Sequence, residues 1–150
     1  MPTFDDLLSA CLTRDAEALA LCTSAGLSIN RKDHEQNPLW FLILCQVDRE
    51  PDDQRVKDCM AIFWSRGLRL DTTTRKGHTL PEYVAGSCDP SVARFMLGLP
   101  KAVERFNRQL NKSGDEQVKQ WWKERIVDVQ AMKLNENTSP ALGRSKSIRL

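Results

Sequence analysis

Apolar residues recur three and four positions apart along most of this chain, in short blocks separated by polar, glycine-containing or proline-containing stretches. That spacing puts each block on one face of a helix. Phe4, Leu7, Leu8, Cys11 and Leu12 form the first face, and Thr3 with Asp6 three residues on predicts a capping box at its start. Asp15 is expected to cap a second helix through Ala16, Leu19, Ala20 and Cys22. Gly26 should end it, because glycine accepts the positive φ of the residue that follows a helix cap. A third helix starts near Pro38 and carries Leu39, Trp40, Leu42, Ile43 and Cys45. It is apolar on most sides, so it is expected between two neighbours.

A proline-containing acidic stretch, Val47 to Asp58, is expected as a solvated loop leading into a fourth helix, with Asp52 or Asp53 as its cap. Val56, Cys59, Met60, Ile62, Phe63 and Trp64 are its buried stripe, and Gly67 its end. Thr79 to Ala85 begins a fifth helix, and Asp89-Pro90 caps a sixth through Val92, Ala93, Phe95, Met96 and Leu97. Lys101 to Leu110 is expected as a helix with Val103, Phe106 and Leu110 on one side. Val118, Trp121, Trp122, Ile126, Val129 and Met132 then predict a long final helix of about 19 residues.

Two connections look alike. Gly26-Leu27-Ser28-Ile29-Asn30 maps onto Gly67-Leu68-Arg69-Leu70-Asp71 with a shift of 41, and Asn37-Pro38-Leu39 maps onto Thr79-Leu80-Pro81 with a shift of 42. In each, a helix end, an alternating segment with a polar tip and a helix start follow one another, as in a hairpin finger between helix pairs. This arrangement resembles the ankyrin-repeat family, whose period is about 33 residues and whose signature is Thr-Pro-Leu-His-x-Ala. Here the signature His is replaced by Trp40 and Glu82, and the longer period is taken up by the Val47–Asp58 loop. The resemblance covers about residues 3–99. It implies an all-α, ankyrin-like helical solenoid of three helix pairs.

A solenoid's last unit leaves an apolar face that needs a cover. The helices of 101–134 are expected to supply it, closing one domain over 1–134, with Trp121-Trp122 as an alternative docking edge. Residues 135–150 read as a flexible basic tail.

Composition changes this picture little. Of 150 residues, 41% are hydrophobic and 28% charged, which excludes wholesale disorder. No apolar run approaches the roughly 20 residues that cross a bilayer, and the start lacks the pattern of a secretory signal. Five scattered cysteines (Cys11, Cys22, Cys45, Cys59 and Cys88) predict buried free thiols in a reducing compartment, the cytoplasm. Residues 1–30 hold four acids and one base, while 101–150 hold eleven bases and six acids. Interrupted by those acids, the basic end is weak support for nucleic-acid contact.

No phosphate-binding glycine loop, paired-histidine metal motif or nucleophile elbow is present, so no cofactor, metal or small-molecule substrate is expected. The ankyrin resemblance implies recognition of another protein through finger tips and the concave face of the inner helices. It selects Arg31, Lys32, His34, Glu35 and Gln36 in the first finger, Arg75, Lys76 and His78 in the second, and Trp40 and Phe41 on the inner helix between them. Trp40 can equally be a packing residue. Basic tips favour an acidic patch on the partner. The expected function is non-enzymatic: a small inhibitor or immunity-type protein that neutralises one partner, with an adaptor or host-directed effector as the alternative. A third class, an enzyme using Cys45 or Cys88 with a fingertip histidine, also remains.

Overall fold

The computed structural model describes residues 1–45, 53–87 and 89–138, with side chains to Leu134. Among these residues the chain is all-helical: α1 (Phe4–Thr13), α2 (Ala16–Ser24), α3 (Leu39–Leu44), α4 (Gln54–Ser65), α5 (Leu80–Gly86), α6 (Pro90–Leu97), α7 (Ala102–Asn111) and α8 (Glu116–Thr138). The local chemistry sets the ends. Thr3 and Asp6 form a reciprocal capping box on α1, Asp15 caps α2, Asp53 caps α4, Thr79 and Glu82 box α5, and Asp89 with Pro90 opens α6. Gly26 (φ 94°) and Gly67 (φ 85°) follow the caps of α2 and α4. After each, the chain folds back identically: Leu27 N–H donates to Cys22 O, as Leu68 N–H does to Phe63 O. Any L-residue at either glycine would strain that turn.

The helices pack in two rows. α1 lies on α3, and α3 reaches α5 through the rings of Trp40, Phe41 and Tyr83. Beside this row, α2 packs on α4 and α4 on α6. Leu7, Leu19, Leu39, Ile43, Met60, Phe63, Leu80 and Met96 are fully buried between the rows. Hydrophobic burial on this scale is what holds six short helices, because none is long enough to persist alone.

The C-terminal helices close the far end. α8 packs on α5, α6 and α7. Trp122 is fully buried, stacks on Phe106 at 4.5 Å and donates its indole N–H to Pro81 O at 2.8 Å. Phe106 in turn lies parallel to Trp64, whose indole N–H donates to Pro100 O. Arg105 also lies over the Trp64 ring, 4.2 Å from its centroid, and donates to Leu68 O. The expected stripe on α8 holds for Val118, Trp122, Ile126 and Val129, but Met132 is 57% exposed, because the helix has run past the core by then. The helix also continues to Thr138, beyond the expected start of the tail. Residues 139–150, most of that tail, lie outside the described residues, as do 46–52 of the acidic loop.

Two expectations need correction. Thr79 caps α5 where Pro38 precedes α3, so Leu39 pairs with Leu80 and the shift is 41 throughout. Pairing Asn37 with Thr79 gives 42, one residue too many, and Pro81 stands where Trp40 stands in the first unit. Asp53, expected on a solvated loop, has a side chain only 8% exposed. Its carboxylate meets Arg55 and the buried guanidinium of Arg14, which also donates to Ile43 O at the end of α3. One charge thus ties α1, α3 and the start of α4 together.

Two measurements check these contacts. Trp122→Ala should cost about 3–5 kcal/mol in urea unfolding, against well under half that for the half-buried neighbour Trp121→Ala. The Asp53 carboxyl is held below the usual carboxylate range, chiefly by its hydrogen bonds with the Arg55 side chain, aided by the Arg55 backbone N–H and the Arg14 charge, against the cost of its burial. A lowered folded value makes this carboxylate stabilising above its unfolded value near 4, and that stability is lost as pH falls through the folded value. The stability gap between wild type and Asp53→Asn should therefore narrow in acid; a gap constant with pH would contradict the ion pair.

Candidate functional site

The two fingers are built alike. In the first, Asp33 N–H donates to Asn37 O and Gln36 N–H to Asp33 O; in the second, Thr74 N–H donates to His78 O and Gly77 N–H to Thr74 O. The side chains of Asp33 and Thr74 each accept a backbone N–H from across the tip. Gln36 (φ 66°) takes the left-handed place that Gly77 (φ 90°) fills in the second finger. Asparagines join the two units. Asn37 Oδ1 accepts from Arg75 N–H at 2.9 Å, while Asn30 donates to Gly67 O and accepts from Arg69 N–H, both at 3.1 Å.

This attachment sets the second finger beside a cleft of about 880 Å³. Thr74, Arg75, Lys76 and His78 of the second finger, Phe41 and Tyr83 of the inner helices, and Asp115, Gln117, Val118 and Trp121 at the start of α8 line it. Phe41 and Tyr83 meet edge to face at 5.2 Å. Trp121 packs against Trp122 on one side and Arg125 on another. Three aromatic rings thus line the cleft. Arg75 and Lys76 are exposed and in no ion pair with a described residue.

The structure divides the ten residues selected from sequence. Phe41, Arg75, Lys76 and His78 come together in the cleft. Arg31 and His34 turn the other way, the guanidinium 3.7 Å above the Phe4 ring and the imidazole edge-on to it. Lys32 is half-buried beside its bridge to Pro38, while Glu35 and Gln36 are exposed at the first tip. Trp40 is only 1% exposed, and its indole N–H donates to Thr72 Oγ1 at 3.0 Å. It packs between units and has no surface to offer a partner. Tyr83 and the α8 residues other than Trp121 went unselected in the sequence. Tyr83 sits in the next inner helix, but the shift of 41 pairs it with Leu42 and not with Phe41, so the repeat register alone does not select it.

Four thiols are placed: Cys11, Cys22 and Cys59 are buried and Cys45 is half-buried at the cleft edge. Burial pushes the Cys11 and Cys59 thiols up to about 12, which keeps them protonated and weakly nucleophilic at neutral pH. Cys88, the other candidate nucleophile, lies outside the described residues. Among the described residues no group of three His, Cys, Asp or Glu is placed to hold a metal ion, and no helix is long and apolar enough to cross a membrane. No protein-family model, curated protein or solved structure matches the chain.

Proposed function

We propose that this chain is a non-enzymatic protein-binding module of ankyrin-like helix pairs, an inhibitor or immunity-type protein that masks one partner in a reducing, cytoplasmic setting. The observation that carries this reading is the cleft, which the aromatic rings of Phe41 and Tyr83 line together with the cations Arg75 and Lys76. Aromatic anchors with a charged rim are the composition that dominates protein interfaces. The uniform shift of 41 and the twin finger turns support the repeat interpretation. A partner presenting acidic groups fits the exposed finger cations, which would speed encounter more than they add affinity.

The test is the partner itself. Affinity purification with mass spectrometry should yield one stoichiometric protein whose own activity falls on binding. Replacing Arg31, Lys32, Arg75 and Lys76 together by alanine should weaken that complex about tenfold or more, with the loss shrinking at high salt. Unchanged affinity in the fourfold variant would refute recognition through the fingers.

A further inference from the structure

The two ends of the helix stack are unlike. In the second unit, the face of α4 that meets α2 runs through Cys59, Ile62 and Arg66, spaced three and four residues apart. Arg66 donates to Ser24 Oγ at 3.2 Å, Cys59 is fully buried and Ile62 packs on the core. The shift of 41 carries these positions to Ala18, Leu21 and Ala25 at α2. There Leu21 is 65% exposed, and with Asp6, Ala10, Asp15, Ala18 and Cys22 it lines a groove of about 520 Å³ formed by α1 and α2. The position that a neighbouring unit covers in the second pair is bare in the first, and a stack of units needs such a face covered. At the far end, α8 turns Val118, Trp122, Ile126 and Val129 inward. Its outer side carries another apolar stripe: Val127 (63% exposed), Ala131 and Leu134 (62% exposed), at steps of four and three.

Charge separates along the same axis. Residues 1–30 hold four acids, Asp5, Asp6, Asp15 and Glu17, and one base, Arg14, which is buried against Asp53. None of the four acids is in an ion pair with a described residue. The groove lining itself has two carboxylates and no basic side chain. Residues 101–134 hold eight bases and five acids. Around the α8 stripe, Lys123 and Lys133 pair with no described acid, Glu124 is held by Arg125 and Gln120, and Asp128 is the one acid of 123–134 in no ion pair with a described residue. Like charge opposes joining two copies through their acidic ends, whereas opposite charge favours joining one end to the other. We infer that the chain self-associates head to tail: the α8 stripe of one copy covers the α1–α2 groove of the next, its lysines meeting the acids of that end. None of these residues lines the finger cleft, so the contact goes beyond the partner recognition proposed above. Because the two surfaces differ, each added copy leaves one of each free, and growth is open-ended.

The experiment is sedimentation velocity of the full chain over a range of concentrations. The weight-average mass should rise with concentration and fall back toward the monomer at high salt. L21E and V127E each change a residue more than half exposed, so both should fold as wild type does, which circular dichroism checks. Each alone should weaken association about tenfold or more, because it sets a carboxylate in an apolar contact. An equimolar mixture of the two keeps one intact pair of surfaces, the groove of V127E and the stripe of L21E. It should form a particle of twice the monomer mass and no larger. A wild type that stays monomeric at every concentration would overturn the inference, and so would a mixture no heavier than either variant alone. Association that survives V127E would also overturn it. Its loss on removing residues 139–150 would then assign the groove to that segment, and its persistence would mean that acidic ends meet.

Discussion

The side chains of Asn30 and Asn37 hold successive units in register, and the shape of the proposed binding face depends on them. A finger is an exposed loop with few backbone partners of its own. Asn30 meets the backbone of the next unit twice, at Gly67 and Arg69, and Asn37 once, at Arg75. Each such bond is worth only about 1 kcal/mol net. Their effect is geometric: Asn37 holds Arg75 N–H, and the second finger so placed lines the same cleft as Phe41 and Tyr83. The carbonyl of Asn37 is itself fixed by Asp33 N–H, so the first finger's turn is transmitted to the second.

The other end is held by aromatic packing. Trp64, Phe106 and Trp122 stack in sequence, and the buried polar atoms of both indoles are satisfied by the carbonyls of Pro100 and Pro81. A buried Trp whose N–H lacked a partner would forfeit much of the burial gain. The carbonyl of Pro81 belongs to α5, so the same bond that buries Trp122 fixes the start of α8 at the cleft. Capping the stack and lining the cleft are one event. Arg14 serves a similar purpose at the near end, where its guanidinium joins the carbonyl terminus of α3 to the Asp53 cap of α4.

Features decided by local chemistry were legible in the sequence. Thr3 with Asp6, Asp15, Asp89 with Pro90, and the two glycines announce helix ends because caps and positive φ act over three or four residues. The finger cations were visible for the same reason. What was hidden depends on distant partners. Asp53 was legible as a candidate cap of α4, but its burial against Arg14, 39 residues earlier, was not. Trp40 was ambiguous because an aromatic at the head of an inner helix suits either core or interface; its bond to Thr72 decides for the core. The second junction was read one residue out of register because Asn37 and Thr79 are both good cap residues, whereas Thr79 caps α5 where Pro38 precedes α3. The cleft itself joins α3, α5, the second finger and α8, and no spacing in the sequence records that meeting.

Residue-resolved hydrogen exchange on the backbone amides of the second finger tests this account most directly. In the native chain, Arg69 and Arg75 N–H should exchange well below the rate of an unstructured peptide, while Lys76 N–H beside them exchanges fast. Asn37→Ala should release Arg75 and leave Arg69 protected. Fast exchange at Arg75 in the native protein, or protection that survives Asn37→Ala, would contradict the claim that Asn37 positions the second finger at the cleft.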